Sequence, residues 1–84
     1  MKQLLSTALI LLPLSAAAMP AVGDLVGTEP EQATAALEAA GCLAPDYEAE
    51  DGKIEAKCQD AEGHMWEVYI DPTSGTVSEI KSDD

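Results

Sequence analysis

Trp66-Glu67-Val68-Tyr69-Ile70-Asp71-Pro72-Thr73-Ser74-Gly75-Thr76-Val77 decides the fold of this chain. Its first half has a period of two. Trp66, Val68 and Ile70 fall on one face of an extended strand, and Met65, Glu67 and Tyr69 fall on the other. Asp71-Pro72-Thr73-Ser74-Gly75 then reads as a turn: Pro72 presets φ and Gly75 can take a positive one. A last short strand follows, Thr76 to Ile80, and the polar tail Lys81-Ser82-Asp83-Asp84 is expected to fray.

Working back from this unit, the same period recurs. Ile54, Ala56 and Cys58 alternate with Glu55, Lys57 and Gln59, and Tyr47 and Ala49 alternate with Glu48 and Glu50. Asp51-Gly52 between these runs is a strong hairpin signal. Asp60-Ala61-Glu62-Gly63 reads as another turn. Further upstream the period becomes helical. Ala33, Ala36, Leu37 and Ala40 recur at i, i+3, i+4 and i+7, and Gly41 is the expected stop. Thr28 with Glu31 makes a capping pattern, and Pro30 sits in the first turn, where its missing N–H is harmless. The expected fold is therefore α+β: one helix packed on one face of a three- to four-stranded antiparallel sheet. The core candidates are Leu25, Val26, Leu37, Leu43, Tyr47, Ile54, Trp66, Val68, Ile70, Val77 and Ile80.

The N-terminus has the form of a secretion signal spanning residues 1–18. Lys2 is the only charge before Asp24, an apolar run covers Leu4 to Leu14, and Ala16 and Ala18 fit the small-residue pattern before a cleavage site. A retained membrane anchor is the alternative, since the uncharged stretch from Gln3 to Gly23 is long enough to span. Pro13, Pro20, the fall in hydrophobicity after Leu14 and the absence of a positive flank speak against it. Cleavage leaves a lead-in, residues 19–27, and a domain, residues 28–84.

That mature chain keeps all 16 acidic residues and only Lys53, Lys57 and Lys81, a net charge of −13. Such a surface repels nucleic acid and anionic lipid and attracts basic surfaces or cations. A domain this small is near the lower limit for independent stability, and exported domains of this size commonly add a covalent link. Cys42 at the helix end and Cys58 on the apolar face of a strand are the candidate disulfide.

The helix, the acidic hairpin and the Trp66–Val77 strand-turn-strand, in that order, resemble the PepSY domain family over about Thr28 to Asp84. The recurring element there is an aromatic-x-V-x-I/V-D-x-x-T/S-G-x-V unit. The resemblance implies an exported, periplasmic or extracellular, non-catalytic module related to the propeptides of secreted metallopeptidases. It implies a protein partner, an exported peptidase among the candidates, with inhibition or chaperoning as the proposed roles.

The residues themselves suggest no reaction. His64 is a lone histidine, no C-x-x-C is present, and Ser74, Ser78 and Ser82 lack a nucleophile context. Asp46 to Gly52 is acidic enough for a calcium loop, but its spacing is off by one before Gly52, and Lys57 stands where a bidentate Glu is needed. No catalytic residue, cofactor or metal site is expected. Met65 and Tyr69, on the face away from the helix, are the candidate partner-binding residues of a monomeric module. The alternative is an acidic envelope protein that binds cations weakly, with Glu48, Glu50, Asp51 and Glu62 as its ligands and no specific protein partner. The intact mass of the secreted protein tests the first step: it should begin at Met19, whereas a mass that includes residues 1–18 would support the anchor.

Overall fold

The computed structural model describes residues 19–84; the expected signal segment, 1–18, lies outside the described residues. One helix, α1 (Pro30–Ala39), precedes four strands: β1 (Leu43–Glu50), β2 (Lys53–Gln59), β3 (Met65–Ile70) and β4 (Val77–Ser82). The strands form one antiparallel meander in the order β1-β2-β3-β4. This is the expected α+β arrangement, with the sheet at its four-stranded limit.

Each turn follows from local chemistry. Asp51 and Gly52 both have positive φ, 51° and 77°, which matches the twist of the hairpin that pairs Glu50 with Lys53. Asp71 Oδ1 accepts the Thr73 and Ser74 N–H groups at 2.8 and 3.1 Å, and the Gly75 N–H closes on the Asp71 carbonyl at 2.8 Å. Gly75 is held to glycine twice over. Its φ is +75°, and a Cβ there would lie 2.8 Å from the carbonyl carbon of Gly27.

That close approach docks the lead-in. The Val26 and Gly27 N–H groups both donate to the Gly75 carbonyl, at 2.8 and 3.0 Å. Gly23 donates to the Val77 carbonyl at 2.8 Å, Val77 donates to that of Asp24 at 2.9 Å, and Leu25 bridges Thr76. Residues 23–25 thus pair with Thr76 and Val77 at the start of the outer edge of β4.

The core lies between α1 and the sheet. Val26, Ala33, Leu37, Cys42, Ala56, Cys58, Val68, Ile70 and Val77 are buried, with Met19, Ala36, Tyr47, Ile54, Trp66 and Ile80 packed against them. At its centre Cys42 and Cys58 are joined by a disulfide, their Cα atoms 5.3 Å apart. Cys42 follows the helix and donates its N–H to the Leu37 carbonyl, so the bond fixes the helix C-terminus to β2.

Four expectations are corrected. Leu25 and Leu43 are exposed, at 71% and 39%. Leu25 lies on the outward side of its bridge while its neighbour Val26 turns inward, and Leu43 precedes a bulge at Ala44, whose φ is 51°. The Thr28–Glu31 cap does not form. Pro30 holds the preceding residue extended, so Glu29, at φ −103° and ψ 139°, becomes the N-cap and makes no side-chain cap bond. The tail is not frayed from Lys81, because β4 runs to Ser82 and Asp83 N–H donates to the Met65 carbonyl at 2.9 Å.

A chain closed by a link of this span should gain about 3 kcal/mol. The Cys42→Ser, Cys58→Ser double variant should therefore lose about 2–4 kcal/mol in urea unfolding. Two titratable thiols in the unreduced protein would show the bond to be absent.

Candidate interaction face

The sheet face away from α1 is built by strand alternation. β1 contributes Asp46, Glu48 and Glu50; β2 contributes Lys53, Glu55, Lys57 and Gln59; β3 contributes Met65, Glu67 and Tyr69; β4 contributes Glu79 and Lys81. All three lysines among the described residues stand here. The register sorts these groups into rows. Asp46, Lys57, Glu67 and Lys81 lie side by side with alternating charge. Glu48, Glu55, Tyr69 and Glu79 form the adjacent row, in which acids flank the phenol on both sides.

Tyr69 lies on the expected face but is not exposed there, retaining 8% of its surface. Lys81 Nζ sits over its ring at 5.4 Å from the centroid, a cation–π contact. Its hydroxyl is shared between Glu67 Oε1 at 2.9 Å and Glu55 Oε2 at 3.3 Å. Bonding to Glu67, then burial, then the charge of Glu55 raise the Tyr69 pKa well above the ordinary phenol value, so the proton stays on the oxygen as donor. Glu55 is 3% exposed, with Tyr69 as the partner of its carboxylate. Met65 is half-buried, its N–H bound to Asp84 Oδ1 at 3.1 Å. The two candidate residues therefore differ: Met65 offers surface, while Tyr69 orients carboxylates.

Neighbouring charges shift two further groups. Asp83, bonded to Glu67 and partly desolvated, is raised above the usual carboxylate range. Lys57 is raised by Asp83, then Glu55 and Glu48. The carboxylate oxygens of Glu48, Glu50 and Glu55 lie within 4.8 Å of one another. Glu62 is not with them; it groups with Asp60 and His64, so the expected cation set is divided between two places. In that second group Asp60 is already engaged. Its Oδ1 accepts the Glu62 and His64 N–H groups at 2.9 and 3.0 Å, and its Oδ2 accepts Trp66 Nε1–H at 3.0 Å.

A feature absent from the sequence expectations is a cavity of about 190 Å³ at the N-terminal end of α1, lined by Pro30, Ala33, Tyr47, Ile54, Ile70 and Pro72. The only trace of it in the sequence is the small side chain of Ala33, where a larger residue would fill the space.

This geometry of a helix-covered acidic meander closed by the Asp71–Gly75 turn accords with a family match. Residues 4–81 match the model of the peptidase propeptide and YPEB domain. The chain belongs to this PepSY family. No curated protein and no solved structure matches it. Among the described residues no helix is long and apolar enough to cross a membrane.

The carboxylates that organise turns set the pH response. Trp66 first, and the His64 and Glu62 amides after it, hold Asp60 below the ordinary carboxylate value; the Ser74 and Thr73 amides do the same for Asp71. Each contributes stability above the unfolded carboxylate pKa, and that stability is lost as the pH falls through the lowered folded value. Asp83, being raised, has the opposite sign. Asp60→Ala should therefore unfold at lower urea than wild type near pH 7, and the gap should narrow toward about pH 2. A gap independent of pH would show that the Asp60 charge plays no part.

Proposed function

We propose that the mature chain is an exported, non-catalytic protein-binding module of the peptidase-propeptide type, with an exported peptidase as its partner. The observation that carries this is the organised acidic face. Tyr69 spends its hydroxyl on Glu55 and Glu67, fixing carboxylates on a surface that includes Met65. An evenly solvated face does not require a buried tyrosine to hold its acids in place. Membership of a peptidase propeptide family supports the peptidase, and the buried disulfide suits an oxidising, exported compartment.

The binding is electrostatic in its approach and apolar at its centre. Net charge of −13 on the mature chain draws a basic rim, and Met65 supplies the apolar contact. Tyr69 acts through the carboxylates it positions. A propeptide-like module of this kind inhibits or assists its peptidase by occupying a surface, and it contributes no reacting group.

One observation favours a second reading, weak cation binding: the convergence of Glu48, Glu50 and Glu55. Calcium separates the two readings, since a site would raise the melting temperature saturably, whereas screening is matched by sodium at equal ionic strength.

The oxidised mature protein, incubated with secreted metallopeptidases from its own source, should bind one and alter its activity. Affinity should fall with added salt and with Met65→Glu, and Tyr69→Ala should weaken it by releasing Glu55 and Glu67. No binding to any of them would refute the peptidase reading. Binding indifferent to both substitutions would remove this face from it.

A further inference from the structure

We propose that the free edge of β1, from Asp46 to Glu50, accepts an extended basic segment of the partner as a fifth strand. The partner's Lys or Arg side chains would lie at alternate positions beside Glu48 and Glu50. The inference rests on the protein-binding reading and specifies a surface and a partner chemistry for it.

A four-stranded meander has two edges, and this chain treats them differently. The β4 edge is taken at its start by the lead-in, through Gly23, Asp24 and Leu25. The opening of β1 is also closed to pairing. Ala44 has a φ of 51° and gives its N–H to Glu38 Oε2, and Pro45 has no N–H to give. Asp46 to Glu50 remains. β2 pairs with one side of it, and among the described residues no backbone bond reaches the other. Five residues is an ordinary strand length, enough to template an added strand.

Charge selects the occupant. Glu48 stands opposite Glu55 in the register, a like-charge pair, and Glu50 converges on both. Lys53 and Lys57 occupy β2 positions opposite Glu50 and Asp46, yet among the described residues the only ion pair at bonding distance is His64 with Asp60. Lys53 and Lys57 thus offset the negative charge of this edge only from across the ladder, with no lysine paired to it at bonding distance. A second copy pairing β1 to β1 would bring Asp46, Glu48 and Glu50 against their own counterparts on one face, which disfavours self-association. A strand with cations at alternate positions reverses the sign of that interaction. Its intervening residues face the helix side, where the cavity beside Tyr47, Ala33 and Ile54 suits an apolar side chain.

The test uses the oxidised mature protein and an acetylated, amidated Lys-Val-Lys-Val-Lys peptide, followed by ¹⁵N NMR. The expected result is saturable binding with shifts and amide protection centred on 46–50. Affinity should weaken about tenfold or more in the Glu48→Gln, Glu50→Gln variant and for a peptide N-methylated at alternate amides, because the first removes the charges and the second the ladder bonds. A Glu-Val-Glu-Val-Glu peptide should not bind. Equal binding of the N-methylated peptide would reduce the interaction to charge alone and overturn the proposal. So would shifts confined to Met65 and its neighbours, or no binding at all. In those cases the peptidase assay decides separately whether the protein-binding reading survives. An unchanged melting temperature in the glutamine variant excludes unfolding as the cause.

Discussion

The bond between Cys42 and Cys58 is what allows so slight a helix to cover a four-stranded sheet. α1 buries only Ala33 and Leu37. At about 25 cal/mol per Å² of apolar area, two such side chains add little against the entropy of ordering a ten-residue helix. The disulfide supplies a link that does not depend on area, and it lies inside the core, where both cysteines are at most 1% exposed. The first half of the helix is held by a polar contact, the Thr34 hydroxyl with the Tyr47 hydroxyl at 2.8 Å. Between these two ties the helix can remain short and rich in alanine, and the apolar face of the sheet is still covered.

The opposite face has no such cover, and the sequence fills it with charge. A central strand that carries Glu55 between Glu48 and Tyr69 must satisfy a nearly buried carboxylate without a cation at bonding distance. The Tyr69 hydroxyl does so, at the cost of being unavailable as a surface contact. The paired glycines have a comparable effect at the sheet edge. Because Gly27 and Gly75 touch, the lead-in reaches the start of β4 and pairs with Val77, whereas among the described residues no backbone bond reaches the outer side of Asp46 to Glu50. The asymmetry of the molecule, one edge covered at its start and one open over Asp46 to Glu50, one face apolar and one acidic, follows from these few contacts.

Local chemistry made most of this fold legible. Asp51-Gly52 and Asp71 to Gly75 announce their turns because their side chains and φ preferences act over four or five residues. Alternation placed Trp66, Val68 and Cys58 on the core side and Tyr69 on the other. The strand-turn-strand also carried the family resemblance that the match over residues 4–81 supports. What sequence could not supply was distance. Parity puts Tyr69 on the outer face but says nothing of Lys81 lying across its ring. Apolarity marks Leu25 for the core, but its bridge to Thr76 turns it outward. Thr28 and Glu31 match a cap, yet Pro30 shifts the helix start by one residue, a local conflict that favoured the proline. The tail ordered itself through Met65, far along the chain from Asp83 and Asp84.

Amide hydrogen exchange on the oxidised protein, alone and with an exported peptidase from its own source, tests the central claim most directly. In the free protein the outward amides of Asp46 to Glu50 should exchange fast while those of β2 and β3 exchange slowly. With the partner present, added protection should appear on β1 and around Met65 and leave the outer surface of α1 unchanged. Protection confined to the outer helix surface, or none on the sheet at any peptidase concentration, would contradict a module that binds protein through its acidic sheet.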